Sequence, residues 1–238
     1  LKGKGGLSHS RALSYYSDRL AAERLKRCYE IAPPRVRRYL RAEVDFALGS
    51  VREGDLLLDL GCGYGRTIQD FARKAGFVVG IDTSSSSLAL GRSCLSLVKN
   101  CLLLEMDAAD LAFLDDSFDV VICIQNGISA FHRDPERLFR ESVRVAKPGG
   151  TVLFSTYARR FWPHRLEWFR RQAEEGLVGK IDEKRTGDGV IVCRDGFRAT
   201  TFSGDQFRAL ALNFPVTVEI VEVDESSLFC VMTKDKRL

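Results

Sequence analysis

Three acids stand where short apolar runs give out: Asp59 within "LLLDLGCGYGR" (56–66), Asp82 closing "VVGID" (78–82), and Asp107 just after "CLLLEM" (101–106). The first is followed by glycines at alternate positions, Gly61, Gly63 and Gly65, and then by Arg66. A buried strand that enters a tight turn and then a helix presents unpaired N–H groups and a partial positive charge, a ready setting for phosphate. The dinucleotide fingerprint G-x-G-x-x-G is not met, because the third glycine comes one position early and Arg66 fills the place it needs. Asp59, two residues before the first glycine, repels a pyrophosphate and favours a ligand carrying an ammonium or sulfonium charge. A nucleoside-like, cationic ligand is expected. Each acid also has a plainer reading: Asp59 and Asp82 as caps of the segments that follow, Asp107 as part of the acidic loop "DAADLAFLDD". Three of them at the ends of successive strands converge on one edge, which capping does not require. Seven cysteines without a C-x-x-C pair or Cys/His cluster read as packing thiols, so no metal is expected.

The elements that must position these residues follow from hydrophobic pattern. Five apolar runs without polar alternation, 56–60, 77–81, 101–106, 119–124 and 151–155, predict strands buried on both faces of a parallel sheet. Between them, Ile68, Phe71, Ala72 and Ala75 mark one helix, the serines of 84–87 open another over 88–98, and Asp134-Pro135 starts a third that Pro148-Gly149-Gly150 should stop. The result is an α/β, doubly wound sheet whose ligand site lies beyond the carboxyl ends of its strands. The rhythm then changes. A helix over 164–175 leads into turns at "GDG" and "RDG", predicting a small antiparallel meander, and "SGDQFRALAL" predicts a capped helix. "VTVEIVEVD" and "SLFCVMTK" predict a closing hairpin, which makes a mostly parallel seven-stranded sheet with an antiparallel end. Ahead of the sheet, 10–31 and 34–48 read as helices broken at Pro33-Pro34, either a lid over the strand ends or simple cover for the sheet.

With 238 residues, 45% hydrophobic and 29% charged, and no linker-like stretch, the chain reads as one domain, 1–238, with a helical lid at 10–50 and an inserted cap at 157–203. A net charge of +4 is too modest to imply nucleic acid, and the apolar runs are too short to span a bilayer. The amino end "LKGKGGLSHS" lacks an apolar signal-peptide core, so a cytoplasmic location is expected.

From Leu56 to about Thr156 the sequence resembles the class I S-adenosylmethionine-dependent methyltransferases. The resemblance rests on five motifs in order: "LLLDLGCGYGR", "VVGIDTS" (78–84), "EMDAADL" (105–111), "SFDVVICIQNGISAF" (117–131) and "RVAKPGGTVLFST" (144–156). It implies S-adenosylmethionine as cofactor, S-adenosylhomocysteine as product, and a role for each matching position. Gly61, Cys62 and Gly63 would form the turn that approaches the methionine part, with Asp59 holding its ammonium directly or through water. Asp82 would accept from both ribose hydroxyls. Thr83 follows it where the family often has a second acid. Asp107 would accept from the adenine amino group, the Ala108 N–H would address a ring nitrogen, and the Gln125 carbonyl would lie near the methionine amine.

In-line transfer from a sulfonium needs no metal and no obligatory base, because holding donor and acceptor together in a dry site supplies most of the rate. If the acceptor must lose a proton, His132 is the best-placed histidine, with a solvated role as the plainer alternative. Tyr15, Tyr16 and Tyr29 are candidates to close over the donor. "IQNG" after the fourth strand lacks the Pro-Pro-aromatic slot of base methylases, and no glutamate pair for guanidinium follows it, which leaves a small-molecule acceptor as the favoured partner. Trp162, Trp168 and Phe169 offer stacking for a flat acceptor, and Arg159, Arg160 and Arg165 attraction for an anionic one. A non-catalytic donor-binding protein and an NAD(P)-dependent oxidoreductase are the alternatives.

Overall fold

The structure is a computed structural model that describes Tyr15, residues 19–131 and residues 134–236. Two helices, α1 (Ala22–Glu30) and α2 (Pro34–Gly49), precede β1 (Leu56–Leu60). Alternation then sets in: α3 (Ile68–Ala72), β2 (Phe77–Asp82), α4 (Ser85–Cys94), β3 (Cys101–Glu105), β4 (Phe118–Cys123), α5 (Gly127–Ala130), α6 (Pro135–Val145) and β5 (Ala146–Tyr157). A 3-10 turn (Arg159–Phe161) and α7 (Trp162–Glu174) open the cap, which closes with the two-residue strands β6 (Ile191–Val192) and β7 (Arg198–Ala199). The chain returns through α8 (Gly204–Ala211) to the hairpin of β8 (Val216–Val223) and β9 (Ser227–Lys234).

Seven strands form one sheet in the order β3-β2-β1-β4-β5-β9-β8. The first five pair in parallel and β9 joins β5 antiparallel, as in Ser155↔Phe229. Period-two alternation explains why the central runs are apolar throughout. Leu58, Leu60 and Val121 face a core shared with Phe139, Phe154 and Phe207, whereas Leu57, Val120 and Ile122 face one shared with Val44, Phe71 and Phe229. Strand order reverses between β1 and its two neighbours, β2 and β4, so their carboxyl ends splay into a crevice, the expected ligand position.

Several boundaries differ from the sequence pattern, each for a local reason. The helix of the serine run begins at Ser85 rather than Leu88 and ends at Cys94, because the Ser84 hydroxyl accepts from the Ser87 N–H and fixes the start. Of the helix expected over 10–31, the described part is α1, 22–30, together with Tyr15. Pro148-Gly149-Gly150 does not end a helix: α6 stops at Val145, and these residues make an irregular start to β5, between the pairs Phe118↔Ala146 and Val120↔Thr151. The freed carbonyls of Arg144 and Ala146 accept from the Lys234 ammonium at 3.1 and 2.8 Å, so the hairpin end closes what the proline and glycines leave open. Ser203 and Gln206 form the capping box that starts α8. No helix among the described residues is long and apolar enough to cross a membrane.

Candidate functional site

The glycine turn after β1 is tied to the end of β2 by three hydrogen bonds. Gly61 and Cys62 N–H groups donate to the Ile81 carbonyl at 2.8 and 2.9 Å, and the Gly63 N–H donates to Asp82 Oδ2 at 2.9 Å. The φ angles of Gly61 and Gly63 are +77° and +56°, and a Cβ at Gly61 would lie 2.5 Å from the Phe131 ring. The turn therefore presents bare backbone to a cavity of about 340 Å³ at the carboxyl edge of the sheet.

One half of this cavity is built from strand ends: Gly61, Gly63, Asp82, Thr83, Met106, Asp107, Ala108 and Gln125 line it. Asp82 also accepts from the Ser84 N–H at 2.8 Å, and burial raises its pKa. Asp107 folds back onto the Ala109 N–H at 3.0 Å, which holds the following loop in place. Capping and site formation are thus the same contact at both acids. The other half is aromatic and apolar. Tyr29 and Leu25 descend from α1, Trp168, Phe169 and Gln172 from α7, Tyr157 from the end of β5 and Ala199 from the cap ribbon. The Trp168 Nε1–H donates to the Cys28 carbonyl at 2.9 Å, so α1 and the cap are joined over the opening. Arg66, in place of the third fingerprint glycine, stacks 4.5 Å from the Tyr29 ring and ties α1 to the glycine turn.

Gln125 and Asn126, between the halves, both take left-handed backbone angles, φ 58° and 63°. Two such residues in succession are strained, and a buried polar network holds them. The Gln125 N–H donates to Glu43 Oε2 at 2.6 Å and to Ser155 Oγ at 2.7 Å, while Ser155 and Ser227 hydroxyls donate to Glu43 at 2.9 and 2.7 Å. Asn126 donates to the Thr200 carbonyl at 3.0 Å and accepts from Thr156 Oγ1 at 2.8 Å. The Gln125 side-chain nitrogen, buried, has no hydrogen-bond partner among the described residues.

Seven of the nine cofactor residues read from the sequence line the cavity; Asp59 and Cys62 do not. Asp59 lies beneath the turn, accepting from Thr67 Oγ1 at 3.3 Å, and burial pushes its pKa up to about 7, with the Asp82 charge adding to the rise. Cys62 is buried, and its sulfur lies 2.9 Å from where a Cβ on Gly80 would stand. His132 and Tyr16 fall outside the described residues. Tyr29 lines the cavity, whereas Tyr15 donates to Asp195 at 2.5 Å and packs edge-on against Phe197. Arg159 and Arg160 are exposed, and Arg160 pairs with Glu222 at 2.9 Å. Arg165 is fully buried, stacked 4.4 Å from the Tyr157 ring and donating to the Gly189 carbonyl at 2.7 Å.

Glu43 was not singled out in the sequence, yet a signal exists. It shares the apolar helical face of Val36, Leu40 and Ala47, where an acid stands out. Gln172 likewise follows Arg165, Trp168 and Phe169 on the buried face of α7.

Comparison with known proteins bears on the strand-end half. Residues 58–154 match the family model described as a methyltransferase domain. This stretch, similar to methyltransferase domains, runs from β1 to β5 and contains the glycine turn, Asp82, Asp107 and Gln125. A ubiquinone biosynthesis O-methyltransferase of Alkalilimnicola ehrlichii is 34% identical over 109 residues, 45% of this chain and 43% of that protein. A ubiquinone/menaquinone biosynthesis C-methyltransferase of Vibrio parahaemolyticus is 34% identical over 117 residues, with the same coverage of 45% and 43%. The chain thus matches less than half the length of these relatives. The crystal structure of a Pyrococcus horikoshii protein superposes with a TM-score of 0.63 at 24% identity, covering 97% of this chain and 100% of that one, so the likeness of fold extends beyond residues 58–154. The family match contains the strand-end half of the cavity and none of Leu25, Tyr29, Tyr157, Trp168, Phe169 and Gln172 on the facing wall.

Proposed function

We propose that this protein transfers the methyl group of S-adenosylmethionine to a small, flat, largely apolar acceptor, with donor and acceptor side by side in the one cavity. The observation that carries the reading is the split of the cavity wall. Among the described residues its only charged side chains are Asp82 and Asp107, both at strand ends, and the facing wall is Tyr29, Tyr157, Trp168 and Phe169. Two carboxylates without a cation suit a ligand that is positively charged and bears hydroxyl and amino donors.

Each Asp82 oxygen accepts one backbone N–H and keeps a lone pair for a ribose hydroxyl. Asp107 and the Ala108 N–H are the acceptor and donor an adenine edge needs, and the Gln125 carbonyl and its unpartnered amide flank the methionine end. Asp59 and Cys62 support the turn from below. When bound, S-adenosylmethionine supplies an activated methyl on a sulfonium. The chain orients the acceptor against it and excludes water, through the Trp168–Cys28 bond and the Arg66–Tyr29 stack that hold α1 over the opening. Relatives named for ubiquinone and menaquinone biosynthesis, one an O- and the other a C-methyltransferase, are in keeping with a flat ring as acceptor.

The test is calorimetry with S-adenosylhomocysteine and with NAD, followed by methyl transfer to a panel of phenolic and quinol acceptors. S-adenosylhomocysteine should bind and NAD should not. Asp82→Ala should weaken binding by tenfold or more, since charge-assisted hydrogen bonds are worth about 1.5–3 kcal/mol each. Wild-type affinity in a folded Asp82→Ala variant would overturn the ribose assignment, and absence of transfer to every acceptor would overturn the reaction.

A further inference from the structure

Among the described residues, Gln172 is the side-chain amide of the aromatic half of the cavity. It is 2% exposed and lines the cavity, its side-chain amide makes no hydrogen bond among the described residues, and unlike the Gln125 nitrogen that amide is not sealed from the open space beside it. Leu20, Cys28, Phe169 and Ala199, which line the same half, carry no side-chain carboxylate, hydroxyl or amide, and the Tyr29 and Tyr157 hydroxyls are the other polar side-chain groups on this wall. A primary amide with one strong acceptor and two donors is costly to bury unsatisfied. A ligand that fills this half and shuts out water leaves the amide unpaired unless it brings a complementary polar group, so a purely hydrocarbon ligand incurs that cost.

Charge narrows the class further. No charged side chain among the described residues lines this half, and Arg165 stands off the wall with its guanidinium against the Tyr157 ring and the Gly189 and Thr200 carbonyls. An anionic acceptor would give up its hydration with no cation at the wall to replace it. The Tyr29 and Trp168 rings, with centroids 6.1 Å apart, and Phe169, 6.0 Å from Trp168, favour a ring that packs offset against them.

We infer that Gln172 is the specificity-determining residue of the acceptor site, selecting an uncharged planar ring by a hydrogen bond between its amide and a hydroxyl or carbonyl on that ring. The inference rests on the proposed division of the cavity into donor and acceptor halves. It predicts discrimination between ligands of equal ring size, because a site built to hydrogen-bond one group rejects an analogue that leaves its amide unpaired.

The probes are 2-naphthol and 2-naphthoate, titrated calorimetrically into the full chain with and without saturating S-adenosylhomocysteine. Wild-type protein should bind 2-naphthol at least tenfold more tightly than 2-naphthoate. Gln172→Leu and the closer isostere Gln172→Met should each bind 2-naphthol about 3- to 10-fold more weakly, the loss of one neutral hydrogen bond, with S-adenosylhomocysteine affinity within twofold of wild type. Unchanged 2-naphthol affinity in either folded variant overturns the role of Gln172. Equal binding of 2-naphthoate, or no binding of 2-naphthol by the wild type, overturns the acceptor class. Failure of S-adenosylhomocysteine to bind the wild type overturns the donor reading instead, and the Gln172 effect is still read from the titrations without it.

Discussion

At the scale of single residues, two buried carboxyls set the pH response. Glu43 and Asp59 are both almost wholly inaccessible, and burial raises each pKa to about 7 against the hydrogen bonds that oppose it, from Ser227, Ser155 and Gln125 at Glu43 and from Thr67 at Asp59. In the unfolded chain both titrate near 4. Between about pH 4 and 7 the unfolded chain has therefore released protons that the folded one still holds, so stability falls as pH rises. The contribution is fully present below the unfolded pKa values and lost as pH passes through 7. Melting temperature followed from pH 4.5 to 8 should decline across this window, and a Glu43→Gln/Asp59→Asn variant should flatten the decline, by on the order of a few kcal/mol at pH 8. An equal decline in wild type and variant would assign it to other groups. The same pair shows two levels of legibility. Asp59 is marked in the sequence by the glycines beside it, while Glu43 matters through partners at Gln125, Ser155 and Ser227, as far as 184 positions away. No local pattern encodes that distance.

At the scale of elements, the glycine turn is the piece on which the proposed donor half depends. A Cβ at Gly61 meets the edge of the Phe131 ring at 2.5 and 2.7 Å, whereas one at Gly63 meets only a Leu25 methyl at 3.0 Å. Both sit at positive φ, which costs an alanine about 1–2 kcal/mol. Gly61→Ala adds displacement of a ring that lines the cavity, so it should lower S-adenosylhomocysteine affinity by about tenfold or more and further than Gly63→Ala. Cys62→Ser should leave affinity within a few-fold, as its sulfur packs toward β2 and away from the cavity. Calorimetry on the three variants orders them, and a Cys62→Ser effect larger than that of Gly61→Ala would contradict the geometry. The central strands β1, β2, β4 and β5 were legible because they are buried on both faces and read as apolar runs, whereas the edge strand β3, expected to be buried on both faces, leaves Leu102 exposed, and the edge strand β8 alternates in sequence. Helix ends were less so, since α4 starts where one serine hydroxyl finds one N–H, and α6 ends where a lysine 90 positions away reaches its carbonyl.

At the scale of the molecule, the cap and the sheet are one structure rather than a module set upon a scaffold. The Asn126 amide, beside Gln125 at the junction of the two halves, donates to the Thr200 carbonyl, and the Phe202 N–H donates to the Thr156 hydroxyl that also binds Asn126. Removing the cap takes away the anchor of a strained pair that the donor half shares. Excision of residues 158–201 with a short linker should therefore cost donor affinity as well as turnover, even though no donor residue named from the motifs lies within the excised segment. Trp168→Ala is the contrasting change. It opens the aromatic wall and frees the Cys28 carbonyl while leaving Asn126 and Thr200 in place. Acceptor transfer should fall at least tenfold, with S-adenosylhomocysteine affinity within about threefold of wild type, because truncating a buried tryptophan removes about 3–5 kcal/mol of packing from one half alone. Paired calorimetry on the two variants separates the effects. Wild-type S-adenosylhomocysteine affinity in a folded cap-excised protein would show that Glu43 and Ser155 hold Gln125 without help, and that the two halves of the cavity bind independently.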